Sequence, residues 1–333
     1  MNIQRKKLIS IFSLIVLLLV SISVILYIWK KPKDDKQLEK IKMATALPSI
    51  NQFFLEKIVQ QQLKEKNLEV EMINPNHDYS QTNHLLNQDQ IIAKFDSHLP
   101  YTKDLNKNQN NNVKVIVAHP FYWAHVGLYN ITSDDTNKIK TWDEFIQRQN
   151  KNNNLKPINI LLCEDGIQSN MMLRFLENLQ IITRKNEFKD DKLKNKYTDL
   201  KITSFEIPSN IKLTTPEGID YSKSTNYFKE HSNKYDLLIQ YPAIFNSFSI
   251  PKEQIKTINT FKKPSNDNIA ISYTISLIIK DKNKDDDKIK KLIQVLTNEK
   301  VMELYKEKYS DNNNLIELNE IEYVKNKINL ECE

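Results

Sequence analysis

Between residues 41 and 118 the chain switches back and forth between two hydrophobic periods, and no other feature narrows the possible folds as far. Residues 41–46 (IKMATA), 68–73 (LEVEMI), 91–95 (IIAKF) and 113–118 (VKVIVA) have the length and apolar content of strands. Residues 48–65 place Ile50, Phe54, Ile58 and Leu63 near helical spacing, and 80–87 also reads as a helix. Strand, helix, strand, helix, strand predicts a parallel α/β sheet.

A second series repeats the alternation. Residues 141–149 (TWDEFIQRQ) predict a helix with Thr141 as N-cap and Glu144 at the capping-box position. Residues 158–163, 200–206 and 235–240 predict strands, with a helix over 169–179. Residues 271–280 (ISYTISLIIK) predict a long apolar strand. The last helix spans 288–309, with Ile289, Leu292, Ile293, Leu296, Val301 and Leu304 on its inner face. Residues 150–154 form an asparagine-rich loop, 207–235 follow no clear period, and 311 onward reads as a ragged tail. Two such series in 333 residues suit two lobes better than one core.

Composition removes several functions. Three glycines, Gly127, Gly166 and Gly218, supply neither a G-x-G-x-x-G turn nor a P-loop. Lysine and arginine number 48 against 42 acids, a net charge of +6, but the signs are interspersed, so no nucleic-acid partner is predicted. Cys163 and Cys332 make no metal pattern and no disulfide framework, and both read as free thiols. No nucleophile elbow, metalloprotease helix or spaced carboxylate pair is present, so no enzyme is predicted, and no cofactor. The heavy use of asparagine and lysine reads as the habit of an AT-rich coding sequence.

Residues 8–29 (LISIFSLIVLLLVSISVILYIW) carry no charge over 22 positions, enough helix to cross roughly 30 Å of hydrocarbon. Arg5, Lys6 and Lys7 precede this run, and Tyr27 and Trp29 stand where an interfacial belt would lie. No A-x-A site and no cysteine follows, so an uncleaved transmembrane anchor over 1–29 is expected, with the remaining chain extracytoplasmic. Residues 30–40 (KKPKDDKQLEK) are a charged linker.

The stretch IIAKFDSHLPYTKDL ends a strand with Phe95, Asp96, His98 and Tyr101 in seven positions. In parallel α/β folds the carboxyl ends of strands face the ligand crevice, so this group predicts a pocket. The same residues carry a family resemblance. Asp78-Tyr79-Ser80-Gln81-Thr82-Asn83 followed by Ala93-Lys94-Phe95-Asp96-Ser97-His98-Leu99-Pro100-Tyr101 resembles the NlpA/MetQ family of methionine-binding proteins of ABC importers. AHPFYWAHVGLY (118–129) resembles the family's crossover into its second lobe. KIKTWDEF (138–145) and DKIKKLIQVLTNEKV (287–301) resemble a helix start and the closing helix.

The resemblance implies a two-lobe periplasmic-binding-protein-like fold of type II with a hinge. Lobe 1 would take 41–128 and 242–310, lobe 2 would take 129–241, and 311–333 would be the tail. It implies a small-molecule ligand, methionine or a related amino acid or short peptide. Delivery would go to a membrane permease powered by a separate ATPase. The transmembrane segment stands in for the family's lipidated cysteine.

On this resemblance Tyr79, Phe95, His98, Tyr101 and Tyr122 meet the ligand side chain, and Asp96 stands where the family has a second phenylalanine. Asp96 hints at a cationic group on the ligand, or is a solvated loop acid. The family's carboxylate-binding arginine is replaced by Met171, and its neighbouring asparagine by Gln168. Arg174, one turn on, could swing toward the cleft, or lie exposed on the surface. The amides of 167–171 at a helix start could hold a carboxylate instead. Gln240 keeps an amide where the family has Asn-Gly-Asn.

Two other classes fit the residues. His77, Asp78, His84, Asp96, His98, His119 and His125 could serve a metal-binding receptor, although no H-x-x-x-H spacing organises them. An adhesin built on a transport fold would also tolerate the altered second-lobe motif.

Overall fold

The computed structural model describes residues 38–75, 78–111, 113–124, 126–131, 139–150, 156–189, 200–247, 250–260, 271–309 and 314–332. The expected anchor, most of the linker, His77 and His125 lie outside the described residues. Among the described residues no helix is long and apolar enough to cross a membrane.

The first lobe begins with β1 (Glu39–Ala44), α1 (Pro48–Leu55), α2 (Lys57–Glu65) and β2 (Leu68–Ile73). The single helix expected over 48–65 is broken at Glu56, whose backbone is extended (φ −62°, ψ 138°). Glu56 takes a hydrogen bond from the Tyr309 hydroxyl (2.8 Å) and two from Lys308 (3.0 Å each), which hold the break against the end of the chain's late helix. Next come α3 (Tyr79–Asn87), β3 (Ala93–Ser97), α4 (Leu99–Asn108) and β4 (Val115–Trp123). Asp78 caps α3 by accepting from Gln81 N–H, and His98 caps α4 through its ring.

At Gly127 the chain enters the second lobe. A Cβ there would stand 2.5 Å from the buried Tyr129 hydroxyl, which explains one of the three glycines. The lobe runs β5 (Gly127–Ile131), α5 (Trp142–Asn150), β6 (Ile158–Leu161), α6 (Gly166–Asn178), β7 (Thr183–Arg184), β8 (Phe205–Glu206) and β9 (Ile211–Thr214). It continues with α7 (Ser224–Glu230), β10 (Leu237–Gln240), α8 (Pro242–Ser247) and β11 (Ile255–Thr260). Thr141 Oγ1 accepts from Glu144 N–H as expected, but the Glu144 carboxylate returns to Lys140 N–H, one residue before a capping box requires.

The return to the first lobe is β12 (Thr274–Lys280), then α9 (Asp287–Leu296), α10 (Glu299–Lys308) and α11 (Ile321–Glu331). The closing helix expected over 288–309 is two helices, because Asn298 stops the first and caps the second from its side chain.

Both five-stranded sheets are mixed, which corrects the expectation of a parallel sheet. The first has the order β2-β1-β3-β12-β4. β1 and β3 are parallel, but β12 runs antiparallel between β3 and β4. A strand arriving from the far end of the chain occupies the place next to β3, and all seven of its residues are buried. The second sheet has the order β11-β5-β10-β6-β9. β6, β9 and β10 are mutually parallel, and β5 pairs antiparallel with both β10 and β11, so β5 alone runs against the other four strands. The expected return at residue 242 is therefore too early, since β11 still belongs to the second sheet.

The tail is also corrected. Leu315 and Ile316 are buried, and Ile316 N–H donates to Phe121 O along the free edge of β4. On α11, Ile321, Val324 and Ile328 are buried in a cluster with Val115, Val117 and Ile278. Asparagine, too, has a structural task in a chain short of glycine. Asn67, Asp89, Asn110 and Gln180 take the left-handed conformation just past the ends of α2, α3, α4 and α6, where glycine is the usual residue.

Candidate functional site

A cavity of about 430 Å³ lies between the lobes. That volume falls in the range of small-molecule sites. Among the described residues seven tyrosines line it: Tyr79, Tyr101, Tyr122, Tyr221, Tyr241, Tyr305 and Tyr309. The strand-end stretch read from the sequence supplies Asp96, Ser97, His98 and Tyr101, and the start of α1 adds Leu47, Pro48 and Ser49.

His98 joins the lobes. Its Nδ1 accepts from Tyr101 N–H (3.2 Å), which starts α4. Burial pulls its pKa down to about 3, so the ring is neutral. With Nδ1 accepting, the neutral ring keeps its proton on Nε2, 3.0 Å from the Gln168 side-chain amide of α6; an N–H cannot bond to an NH2, so the amide turns its oxygen to the ring. The same amide is 2.5 Å from the Tyr241 hydroxyl. Gln168 is set at this point because Asp165 caps α6, accepting from Gln168 N–H at 2.9 Å. A second tie runs from the Tyr273 hydroxyl, just before β12, to Ile167 O at 2.9 Å.

Tyr79, His98, Tyr101, Tyr122 and Gln168 thus meet at the cavity, Tyr122 with its ring stacked on Tyr305 at 5.8 Å. The other expected site residues do not act as the resemblance implied. Phe95 points to the opposite face of β3 and is fully buried between Phe54 and Phe121 (ring centroids 6.2 and 5.1 Å). The two-residue period of a strand puts Lys94 and Asp96 on one side and Phe95 on the other.

Asp96 does reach the cavity, but it is occupied from within. One carboxylate oxygen accepts from Ala46 N–H (3.1 Å), fixing the loop that leads into α1. The other lies 3.3 Å from Lys94 Nζ, too poorly aligned for a hydrogen bond, so the pair is held by charge. Both side chains are fully buried, and burial lowers the pKa of Lys94.

Arg174 neither swings to the cleft nor lies exposed. It is buried, and its Nε donates to Asn170 Oδ1 at 2.7 Å, one turn earlier on α6. Met171 is core. Gln240 is fully buried behind the cavity wall. Its amide nitrogen donates to Tyr221 O (2.7 Å), Ser224 Oγ (2.8 Å) and Thr225 Oγ1 (3.1 Å), and its oxygen accepts from Tyr241 N–H (2.9 Å). Gln240 therefore positions two wall tyrosines from behind the cavity. Replacing it with alanine leaves several buried groups without partners, and Gln240→Ala is expected to lose about 2–3 kcal/mol in urea denaturation. A loss under about 0.5 kcal/mol would remove this role.

Sequence reasoning missed Tyr221, Tyr241, Tyr305 and Tyr309. Tyr241 was one position away: β10 turns Gln240 inward, so the next residue faces the cleft. Tyr305 and Tyr309 share a helix face by their i, i+4 spacing, once α10 is known to start at Glu299. Among the described residues no group of three His, Cys, Asp or Glu side chains is placed to hold a metal.

Residues 41–317 match the family described as NlpA lipoprotein, which spans both lobes and every cavity-lining residue named here. The chain belongs to the NlpA lipoprotein family. Solved structures carry the same fold at low identity. A lipoprotein of Clostridium difficile 630 is 24% identical, with TM-score 0.60, over 83% of this chain and 97% of its own. Protein PG110 of Staphylococcus aureus is 16% identical, with TM-score 0.64, over 86% and 99%. A nutrient-binding protein of Burkholderia cenocepacia, solved bound to methionine, is 18% identical, with TM-score 0.61, over 83% and 98%. A comparison with curated proteins finds no match.

Proposed function

We propose that this NlpA-family chain is the extracytoplasmic solute-binding protein of an ABC importer, held at the membrane by residues 8–29. The observation that carries the reading is the interlobe cavity, enclosed by rings from both lobes and bridged by His98 and Gln168. A ligand there touches both halves at once, so its binding energy favours the closed arrangement over any open one. That is the coupling a receptor needs to report occupancy to a permease.

The substrate-binding, methionine-binding and nutrient-binding proteins among the structures of the same fold support this reading. A ligand of the size of methionine, a related amino acid or a short peptide suits the cavity. Arg174 is committed to Asn170, so a carboxylate would be met by neutral donors such as the Gln168 amide and the tyrosine hydroxyls. Chemistry is expected to happen elsewhere, on the permease and its ATPase.

Native mass spectrometry of the purified chain from residue 30 onward tests this reading, with a solute expected to travel with the protein. Tyr101→Ala is then expected to weaken that solute's affinity about tenfold while leaving the unliganded Tm within a few degrees, because Tyr101 is only half-buried. Unchanged affinity in calorimetry would remove Tyr101 from the site.

A further inference from the structure

One backbone amide fixes the direction of the hydrogen bonds that cross the cleft. Tyr101 N–H can only donate, so His98 Nδ1, 3.2 Å away, accepts, and the ring proton stands on Nε2. Nε2–H needs an acceptor, and the Gln168 side chain at 3.0 Å turns its oxygen to it. The NH2 of the same amide then faces the Tyr241 hydroxyl, 2.5 Å from the amide, and the phenol oxygen accepts. An oxygen that accepts from Gln168 keeps its own proton for another partner. Tyr241 lines the cavity, and its hydroxyl meets no second partner among the described residues. The end of the relay is therefore an O–H offered to the cavity.

The groups that would hold an anion beside that hydroxyl are engaged elsewhere. Met171 is core, and Arg174 Nε is turned to Asn170 Oδ1 at 2.7 Å. The start of α6 carries a carboxylate of its own, because Asp165 accepts from Gln168 N–H at 2.9 Å. His98 is neutral, since its Nδ1 accepts. Lys308 is the one lysine or arginine of the described lining, and both Glu56 oxygens hold it at 3.0 Å. A carboxylate enclosed here would give up its water without gaining a matched charge, and neutral hydroxyls do not repay that loss. A neutral carbonyl oxygen needs only a donor.

We propose that the Tyr241 hydroxyl donates to the solute, and that it takes a neutral carbonyl oxygen, as in an amide or a peptide group, in preference to a free carboxylate. This rests on the cleft being a solute site and names the chemical group that the site reads. His98 and Gln168 are positioning residues in this arrangement. They touch one another across the lobes and hold the phenol proton toward the cavity. The cap that starts α4 and the choice of solute are thus parts of one chain of hydrogen bonds.

Proton–nitrogen correlation spectra of the ligand-free chain are expected to place the His98 ring proton on Nε2, and a proton on Nδ1 would overturn the relay. Calorimetry then compares N-acetyl-L-methioninamide with N-acetyl-L-methionine, which differ by an amide against a carboxylate. The amide is expected to bind at least about tenfold more tightly. Tyr241→Phe keeps the ring and is expected to lose about tenfold for the amide and little for the acid. Gln168→Glu offers an oxygen to both neighbours, draws the Tyr241 proton out of the cavity and is expected to lose as much. The double variant is expected to lose no more than either single one, because both remove the same bond. Equal affinity for the two probes, or a Tyr241→Phe chain that binds the amide as the parent does, would overturn the proposal. Native mass spectrometry keeps the broader reading separate. A free carboxylic acid retained by the chain would leave the cleft a solute site and sink the neutral-oxygen preference, whereas a chain that retains no solute and binds neither probe would overturn both.

Discussion

Lys94→Met is expected to cost about 3–5 kcal/mol of folding stability, the largest effect expected of any single charge among the described residues. The reason is the position of Asp96. Its carboxylate is fully buried, and Lys94 Nζ at 3.3 Å is its one opposite charge among the described residues. With the lysine gone, the carboxylate keeps the Ala46 N–H as its neutral partner, which does not repay the loss of water around a charge. The double variant Lys94→Met, Asp96→Asn removes both charges and keeps an acceptor for Ala46. It is expected to recover most of the loss, since replacing both members of a buried pair is often close to neutral. Urea denaturation of the parent, both single variants and the double variant measures the coupling. If Lys94→Met and the double variant were equally destabilised, the two charges would not be acting as a pair. Binding is a second readout, because Asp96 also fixes the loop carrying Leu47, Pro48 and Ser49 into the cavity wall.

Ending the chain at residue 319 is expected to have a comparable effect. Ile321, Val324 and Ile328 are buried on α11, and each contributes about 1.5–3 kcal/mol by leaving water. Their loss also exposes the face they cover, which includes Val115, Val117 and Ile278. Asn329 accepts from Val117 N–H (3.0 Å) and donates to Val117 O (3.3 Å), so the truncation unpairs part of β4, the edge strand of the first sheet. An uncovered apolar edge invites pairing with other chains, and aggregation on expression is expected beside a drop of roughly 5 kcal/mol or more. Ile328→Ala separates packing from edge protection, with an expected cost of about 2–4 kcal/mol and no aggregation. A truncated chain that unfolds within about 1 kcal/mol of the parent would reduce α11 to an ornament of the fold.

The cavity was partly legible in the sequence and partly not, for a reason that particular residues make plain. His98 and Tyr101 could be placed because they sit at the end of a strand with a proline behind them, a local signal that survives without coordinates. Gln240 and Phe95 lie behind the cavity wall because one position along a strand reverses the direction of a side chain, and family likeness alone does not fix that phase at these points. Arg174 illustrates a different limit: its partner Asn170 lies on the same helix, yet its burial depends on the packing of the whole second lobe.

The alternation of hydrophobic periods by itself determined that the chain builds two α/β units, because burial of apolar faces acts over a few residues and leaves its rhythm in the sequence. Turn residues determined most of the helix starts, including those at Asp78, His98 and Asp286. Only the tertiary structure decided that β12 lies antiparallel beside β3, that the last residues close the edge of β4, and that four tyrosines from distant stretches share one cavity. Those outcomes depend on contacts between residues that are up to 212 positions apart, as for Val117 and Asn329. No local pattern encodes such a pairing, because its free energy exists only once both partners have been brought together.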